Sequence, residues 1–193
     1  MLLRVFLIAA MALFALPAYS THGPGSVVRV NDGCTGFYLG DGLVATAGHC
    51  ISKLGGQKVA FNDTVMTGTI AILANARVGF DDIAIIKINS IPHESVTLAC
   101  EGYPKIGDEV HMTGYPGTYG LATVWGRVAS EPDTTDIWPN VIKINISAFG
   151  GFSGSPVFDA DENVVGILVA GLKDQSNLAI MVPVRRLCVF LDK

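Results

Sequence analysis

The chain has 193 residues, 13 Lys and Arg against 17 Asp and Glu, a formal net charge of −4 and an apolar fraction of 50%. That mild, dispersed acidity includes no basic stripe, which argues against nucleic acid as a partner. The length suits one compact unit with ample Val, Ile and Leu for a core, and no repeat or low-complexity segment is visible.

Arg4 gives the chain a minimal positive start, residues 5–16 are apolar, and Pro17, Ala18, Tyr19 and Ser20 supply a break and small residues. This predicts a signal peptide over residues 1–20, cut before Thr21, and a secreted or periplasmic product. The apolar run is short of the roughly 20 residues that a membrane-spanning helix needs. No stable membrane anchor is therefore expected after the leader is removed, an uncleaved anchor being the alternative. No Cys follows the run closely enough for a lipoprotein.

Residues 26–90 alternate Val/Ile-rich segments (for example 42–46, 57–61, 65–73 and 83–88) with Gly, Asn and Asp. Such spacing predicts short strands of an all-β barrel or sandwich. Asp41, Asp63 and Asp108 read as turn residues. A Pro-containing linker follows at about 90–104, then a second set of strand segments (109–113, 121–129, 141–146, 164–170, 178–182) within about 105–182. Two barrels of about six strands each fit this count. After Pro183, a favoured first helical residue, Val184, Leu187, Cys188 and Leu191 share one helical face, which predicts a C-terminal helix over about 183–192.

Three short segments carry chemistry: Thr46-Ala47-Gly48-His49-Cys50, Asp82-Ile83-Ala84-Ile85-Ile86 and Gly150-Gly151-Phe152-Ser153-Gly154-Ser155-Pro156. A serine hydroxyl is a poor nucleophile near neutral pH and needs a base to take its proton. Imidazole titrates in that range and has two distinct ring nitrogens, so His49 can face Ser153 with one and a carboxylate with the other. Glycines beside Ser153 allow a tight turn that aims N–H groups at one point, where each stabilises an oxyanion by about 3–4 kcal/mol. Asp82 opens an apolar strand and is the expected orienter, with Asp81 the competitor and expected turn cap. Ser153 is bracketed by Gly151 and Gly154, whereas the competing Ser155 precedes Pro156 and enters a strand. His22, His93 and His111 have no such context and offer no tetrahedral set, so no metal is expected. Asn62-Asp63-Thr64 and Asn145-Ile146-Ser147 match the glycosylation pattern, which is common by chance.

These motifs, in the order His, Asp, Ser, resemble the chymotrypsin-like (trypsin-fold) serine peptidases over most of residues 26–191. Gly114-Tyr115-Pro116-Gly117, Thr123-Val124-Trp125-Gly126 and residues 150–158 look most like the bacterial glutamyl endopeptidase branch. The resemblance implies a peptidase domain over 21–193, built as two six-stranded antiparallel Greek-key barrels with a C-terminal helix. It implies His49 as general base and acid, Asp82 as orienter, Ser153 as nucleophile, and the Gly151 and Ser153 N–H groups as oxyanion hole. It also implies a Cys34–Cys50 bridge beside the histidine, worth about 3 kcal/mol in the chain-entropy model. Cys100 would then pair with Cys188, two free thiols being the alternative.

The implied partner is an extended peptide or protein substrate, with no cofactor and a monomer favoured. Two positions depart from the family. Phe152 stands where vertebrate digestive enzymes carry an Asp that receives a newly cleaved amine, so that zymogen switch is not expected. Leu168 and Ala148 replace the His and Thr with which glutamyl endopeptidases hold glutamate. The two segments that wall the specificity pocket in the family are represented here by Ser147 and Ala148, and by Leu168, Val169, Ala170 and Gly171. Neither carries a charge, which predicts a preference for small or medium apolar residues. A silent protease-like binding protein and a self-processing protease are the competing functions.

Overall fold

Short β-branched runs separated by turn residues fold into two closed barrels, seen in a computed structural model that describes residues 24–52, 55–62, 64–74, 81–89, 93–136, 139–172 and 177–192. The expected leader (1–20), His22 and Asp63 lie outside the described residues. The first barrel comprises β1 (Val27–Val30), β2 (Cys34–Gly40), β3 (Leu43–Ala47), β4 (Gln57–Phe61), β5 (Thr64–Ala74) and β6 (Ile83–Lys87). Its order is β1-β2-β3-β6-β5-β4, and β4 closes on β1. Asp41 (φ 51°) and Gly42 (φ 74°) make the tight β2–β3 hairpin, which needs positive φ at both central residues.

After the two-residue β7 (Thr97–Leu98), the chain forms β8 (Glu109–Gly114), β9 (Ala122–Val128), β10 (Ile142–Asn145), β11 (Pro156–Phe158), β12 (Asn163–Gly171) and β13 (Ala179–Pro183). These run β8-β9-β10-β13-β12-β11 and close through β11 on β8, the strand order of the first barrel repeated seven strands later. Every pairing within the barrels is antiparallel, and β7 alone runs parallel, on β12. β7 lies inside the expected linker. β11 begins where Ser155 is expected to enter a strand, although its three residues are too few to stand among the Val/Ile-rich segments. Pro183 ends β13 opposite Gly166, and α1 (Val184–Asp192) starts one residue after the expected position. A strand's end tolerates the missing N–H.

Each barrel fills its own interior, with Val28, Val30, Tyr38, Val44, Val59, Phe61 and Ile86 in the first and Val110, Met112, Ile142, Ile144, Phe152, Val157 and Met181 in the second. A third core lies along the seam and joins Phe37, Ala45, Ile83 and Ile85 to Phe158, Ile167, Val169, Val182 and the helix residues Val184, Leu187 and Cys188. Burying Val184 and Leu187, both at most 1% exposed, contributes roughly 1.5–3 kcal/mol each. A nine-residue helix has too little intrinsic stability to hold without such packing.

Polar and covalent ties reinforce the docking of α1. The Arg186 Nε and Nη2 groups donate to the two Asp81 oxygens at 2.8 Å each. Asp81 is thus a buried ion-pair partner (7% exposed); residues 75–80, where the turn it is expected to cap would run, lie outside the described residues. A bidentate guanidinium–carboxylate pair is directional enough to fix both partners. Cys188 bonds Cys100, and Cys34 bonds Cys50.

His111 on β8 is 5% exposed, stacked on Phe158 and tilted against Trp125, with ring centroids at 5.1 and 4.4 Å. Its Nε2 lies 3.5 Å from Glu162, and Nδ1 has no partner among the described residues. Burial lowers its pKa below the ordinary 6.5, opposed by the Glu162 and Asp159 carboxylates.

Replacing both Cys100 and Cys188 by Ala removes closure of an 88-residue span, and replacing Cys34 and Cys50 a 16-residue one. The expected costs are about 4–5 and about 3 kcal/mol in the chain-entropy model. Urea unfolding checks the order, and a larger loss from the shorter loop contradicts it. For His111, the folded state excludes a proton that the unfolded chain binds. Stability present above the unfolded pKa is therefore lost as pH falls through that value toward the lower folded one. Melting temperatures measured from about pH 7 down to about pH 5 are expected to drop less steeply in His111→Phe than in the unaltered protein.

Candidate active site

The β3–β6 register places Ala47 opposite Ile83, so the residues just past β3 face the residue just before β6. The Gly48 N–H donates to the Asp82 carbonyl at 2.9 Å. The His49 N–H donates to Asp82 Oδ1 at 2.8 Å, and His49 Nδ1 lies 2.8 Å from Oδ2. Asp82 is fully buried, whereas the His49 side chain is 37% exposed. A buried carboxylate stays charged only where donors replace water, and both donors here come from His49. With Nδ1–H given to the carboxylate, Nε2 is the free face of the ring. Asp82 also sits at φ 52°, a left-handed conformation that costs on the order of 1–3 kcal/mol and persists only where surrounding bonds fix it.

Ser153 comes from the second barrel, in the turn between β10 and β11. Its carbonyl accepts the Thr35 N–H at 2.8 Å and lies 3.6 Å from Sγ of Cys50, the residue after His49. The two halves of the site therefore meet across the seam. Carbonyls through the turn are occupied: Gly150 O by the Gly117 N–H (2.7 Å), Gly151 O by the Thr35 hydroxyl (2.8 Å) and Phe152 O by the Ser155 N–H (2.9 Å). The N–H groups of Phe152, Gly154 and Ser155 donate to Phe149, Leu168 and Phe152 carbonyls. Those of Gly151 and Ser153 donate to nothing among the described residues. In a trans peptide C=O and N–H point opposite ways, so pinning the Gly150 and Phe152 carbonyls aims these two N–H groups away from the protein partners.

Glycine is required twice in this turn. Gly151 has φ 102°, and a Cβ there would collide with the Tyr115 carbonyl and the Gly117 nitrogen. Gly154 has φ 84°, and a Cβ would strike the Thr35 carbonyl and the Thr46 hydroxyl. Phe152 is buried in the second-barrel core. The Ser155 hydroxyl, fully buried, has no partner among the described residues and faces Gly114.

Within the two wall segments, Leu168 packs into the second-barrel core and Val169 into the seam core, at 1% and 3% exposure. That leaves Ser147, Ala148 and Ala170 half-buried and Gly171 exposed. Gly171 lies against Ala148: a Cβ on it would come 2.8 Å from the Ala148 carbonyl. Of the three residues Cys34, His49 and Cys50, whose ligand atoms cluster, the two sulfurs are bonded to each other and neither is a thiolate ligand.

Four residues that sequence reasoning misses as site residues, Thr35, Tyr115, Gly117 and Arg29, join this region. Arg29 of β1 lies 4.3 Å over the Tyr115 ring and donates to the Tyr119 carbonyl, holding the loop that supplies the Gly117 N–H. Burial raises the Tyr115 pKa, with Arg29 opposing, and its hydroxyl donates to the Val27 carbonyl at 3.4 Å. A threonine near the start of a strand looks like any other strand residue, which is why Thr35 gives no signal.

The trypsin-like peptidase domain model matches residues 34–167, more than half of the chain. Glutamyl endopeptidases of Staphylococcus epidermidis and Staphylococcus aureus (strain MRSA252) are 29% identical over 112 residues and 30% identical over 114. Each alignment covers 54% of this chain but only 39% and 30% of those proteins, so the chain spans well under half of the relatives' length. Among solved structures, a protease from M. tuberculosis in its active form has a TM-score of 0.76 at 21% identity, covering 88% of this chain and 80% of that one. The serine endoprotease from Yersinia pestis gives 0.76 at 19%, covering 87% and 62%. These two share the fold. By the family match, the chain belongs to the trypsin-like peptidase domain family.

Proposed function

We propose that this chain is a secreted serine endopeptidase that cuts peptide bonds through an acyl-enzyme on Ser153. The observation that carries the reading is the doubly bonded His49–Asp82 pair, set across the seam from a turn with two unengaged N–H groups. In the first step Ser153 Oγ attacks the scissile carbonyl while His49 Nε2 takes its proton. The Asp82 carboxylate holds the ring and stabilises the imidazolium. Negative charge on the carbonyl oxygen is taken up by the Gly151 and Ser153 N–H groups. His49 then gives its proton to the leaving amine, and water repeats the sequence on the acyl group. No step requires a cofactor.

The substrate is an extended peptide. Beyond Leu168, β12 pairs with β13 but has no strand on its other edge among the described residues, and an added strand gains main-chain hydrogen bonds there. The pocket for the residue before the cut bond draws on Ser147, Ala148, Ala170 and Gly171. The contact between Gly171 and Ala148 narrows it, and none of the four carries a charge. A Lys, Arg or Glu side chain would bury its charge unpaired, at a cost of several kcal/mol, so an uncharged, small or medium apolar residue is preferred.

A diphenyl phosphonate is expected to label the protein once, on Ser153, and not to label Ser153→Ala, as read by mass spectrometry. Ser153→Ala and His49→Ala are expected to fold and lose peptide hydrolysis. Asp82→Asn is expected to lower turnover by about 10⁴-fold, since an amide in that place holds the imidazole in the wrong tautomer, whereas Ser155→Ala keeps substantial turnover. Equal loss at Ser155 would mean that the nucleophile is misassigned. A peptide library varied at the residue before the cut bond is expected to favour Ala, Val or Leu; a strong preference for Arg, Lys or Glu contradicts the pocket assignment.

A further inference from the structure

The turn that offers the two N–H groups needs a restraint, because Gly151 has two soft dihedrals and Phe152 has no carboxylate with which to anchor the loop. Two peptide planes meet at the Gly151 Cα. One, Gly150–Gly151, is held by the Gly117 N–H on the Gly150 carbonyl at 2.7 Å. The other, Gly151–Phe152, is held by the Thr35 hydroxyl on the Gly151 carbonyl at 2.8 Å. Thr35 belongs to the first barrel, and Gly151 lies 116 residues away in the second.

Thr35 is fully buried, and each of its polar atoms has a partner. The Tyr115 N–H reaches its Oγ1 at 2.9 Å. An N–H can only donate, so Oγ1 accepts there and its single proton is left for the Gly151 carbonyl. The Thr35 N–H donates to the Ser153 carbonyl at 2.8 Å, and its own carbonyl accepts the Thr46 hydroxyl at 2.6 Å. One residue thus holds the carbonyls of Gly151 and Ser153, the two residues whose N–H groups are unengaged, together with the loop that carries Gly117. A hydroxyl is the group needed: Val fills the same space but neither donates to Gly151 nor accepts from Tyr115.

We propose that Thr35 is the positioning residue of the oxyanion hole. Its hydroxyl fixes the second dihedral of Gly151 and keeps the Gly151 and Ser153 N–H groups convergent, so that docking of the first barrel completes a site carried by the second. Thr35 touches no substrate. The inference rests on the peptidase reading above and adds to it what keeps the hole formed without an ion pair at Phe152.

The test compares the unaltered protein with Thr35→Val, Thr35→Ala and Thr35→Ser. It measures the rate of Ser153 labelling by a diphenyl phosphonate, together with kcat and KM on a fluorogenic peptide. Deleting an oxyanion donor costs about 10²–10³ in kcat, and loosening one costs less. Thr35→Val is therefore expected to slow labelling and kcat by about 10–100-fold with little change in KM, and Thr35→Ser to restore both. Thr35→Ala serves if the Val variant does not fold, with the same loss expected. Val59→Ala, in the first-barrel core away from the turn, is measured as a variant that lowers the melting temperature, and is expected to label at the unaltered rate. Normal labelling in Thr35→Val or Thr35→Ala, failure of Thr35→Ser to recover, or equal slowing in Val59→Ala would overturn the proposal. If the unaltered protein is not labelled at all, the peptidase reading fails and takes this proposal with it; normal labelling of the Thr35 variants removes the proposal alone.

Discussion

A carboxylate without solvent exposure persists as an anion only if donors replace its water, and Asp82 finds donors for both oxygens in His49. That constraint organises the first half of the site. It requires the end of β3 and the start of β6 to lie side by side, which the Ala47–Ile83 pairing supplies. It also requires Asp82 to accept a left-handed backbone, which a lone bond would not sustain. The Gly48 N–H on its carbonyl and the two bonds from His49 hold it there. On the preceding residue, Asp81 is gripped by Arg186 from the C-terminal helix. The strained position is thus braced from its own barrel and from the far end of the chain.

The two barrels repeat one strand order, yet they contribute different things. The first presents an imidazole with a fixed ring face. The second presents a glycine-rich turn whose carbonyls are occupied and whose two remaining N–H groups point out. On the proposed reading neither is a site alone, and the seam core that joins the barrels holds the two parts together. Hydrophobic packing is nondirectional, so it can bring the barrels together but cannot orient a peptide plane. Orientation falls to the polar contacts crossing the seam, among them those of Thr35 and Arg29 on one side and those of Tyr115 and Arg186 on the other.

Sequence separation divides the features that local pattern reveals from those it hides. His49, Asp82 and Ser153 each sit in a local motif whose glycines, small residues or apolar strand announce their setting. Most strands are readable for a similar reason, since Val/Ile-rich runs between turn residues are local. β11 shows only as the strand that Ser155 enters, because its three residues are too few to form a run of their own. Pro183 reads as helical because its fixed φ suits a strand's end as well as a helix's start. The salt bridge of Asp81 and the hydroxyl bond of Thr35 join residues 105 and 116 positions apart. No local pattern marks either. The duplicated strand order is equally invisible, because it is a property of pairing and leaves no repeat in the residues.

If one reaction centre is assembled across the seam, the nucleophile and both oxyanion donors belong to the second barrel and the base to the first. A crystal structure of the protein reacted with a peptidyl diphenyl phosphonate would display all of these groups around a single adduct. The expected structure has phosphorus bonded to Ser153 Oγ, a phosphonyl oxygen within hydrogen-bond distance of the Gly151 and Ser153 N–H groups, and His49 Nε2 facing the adduct. Phosphorus on another residue, or a phosphonyl oxygen turned to solvent with the two N–H groups unengaged, would refute an assembly of this kind.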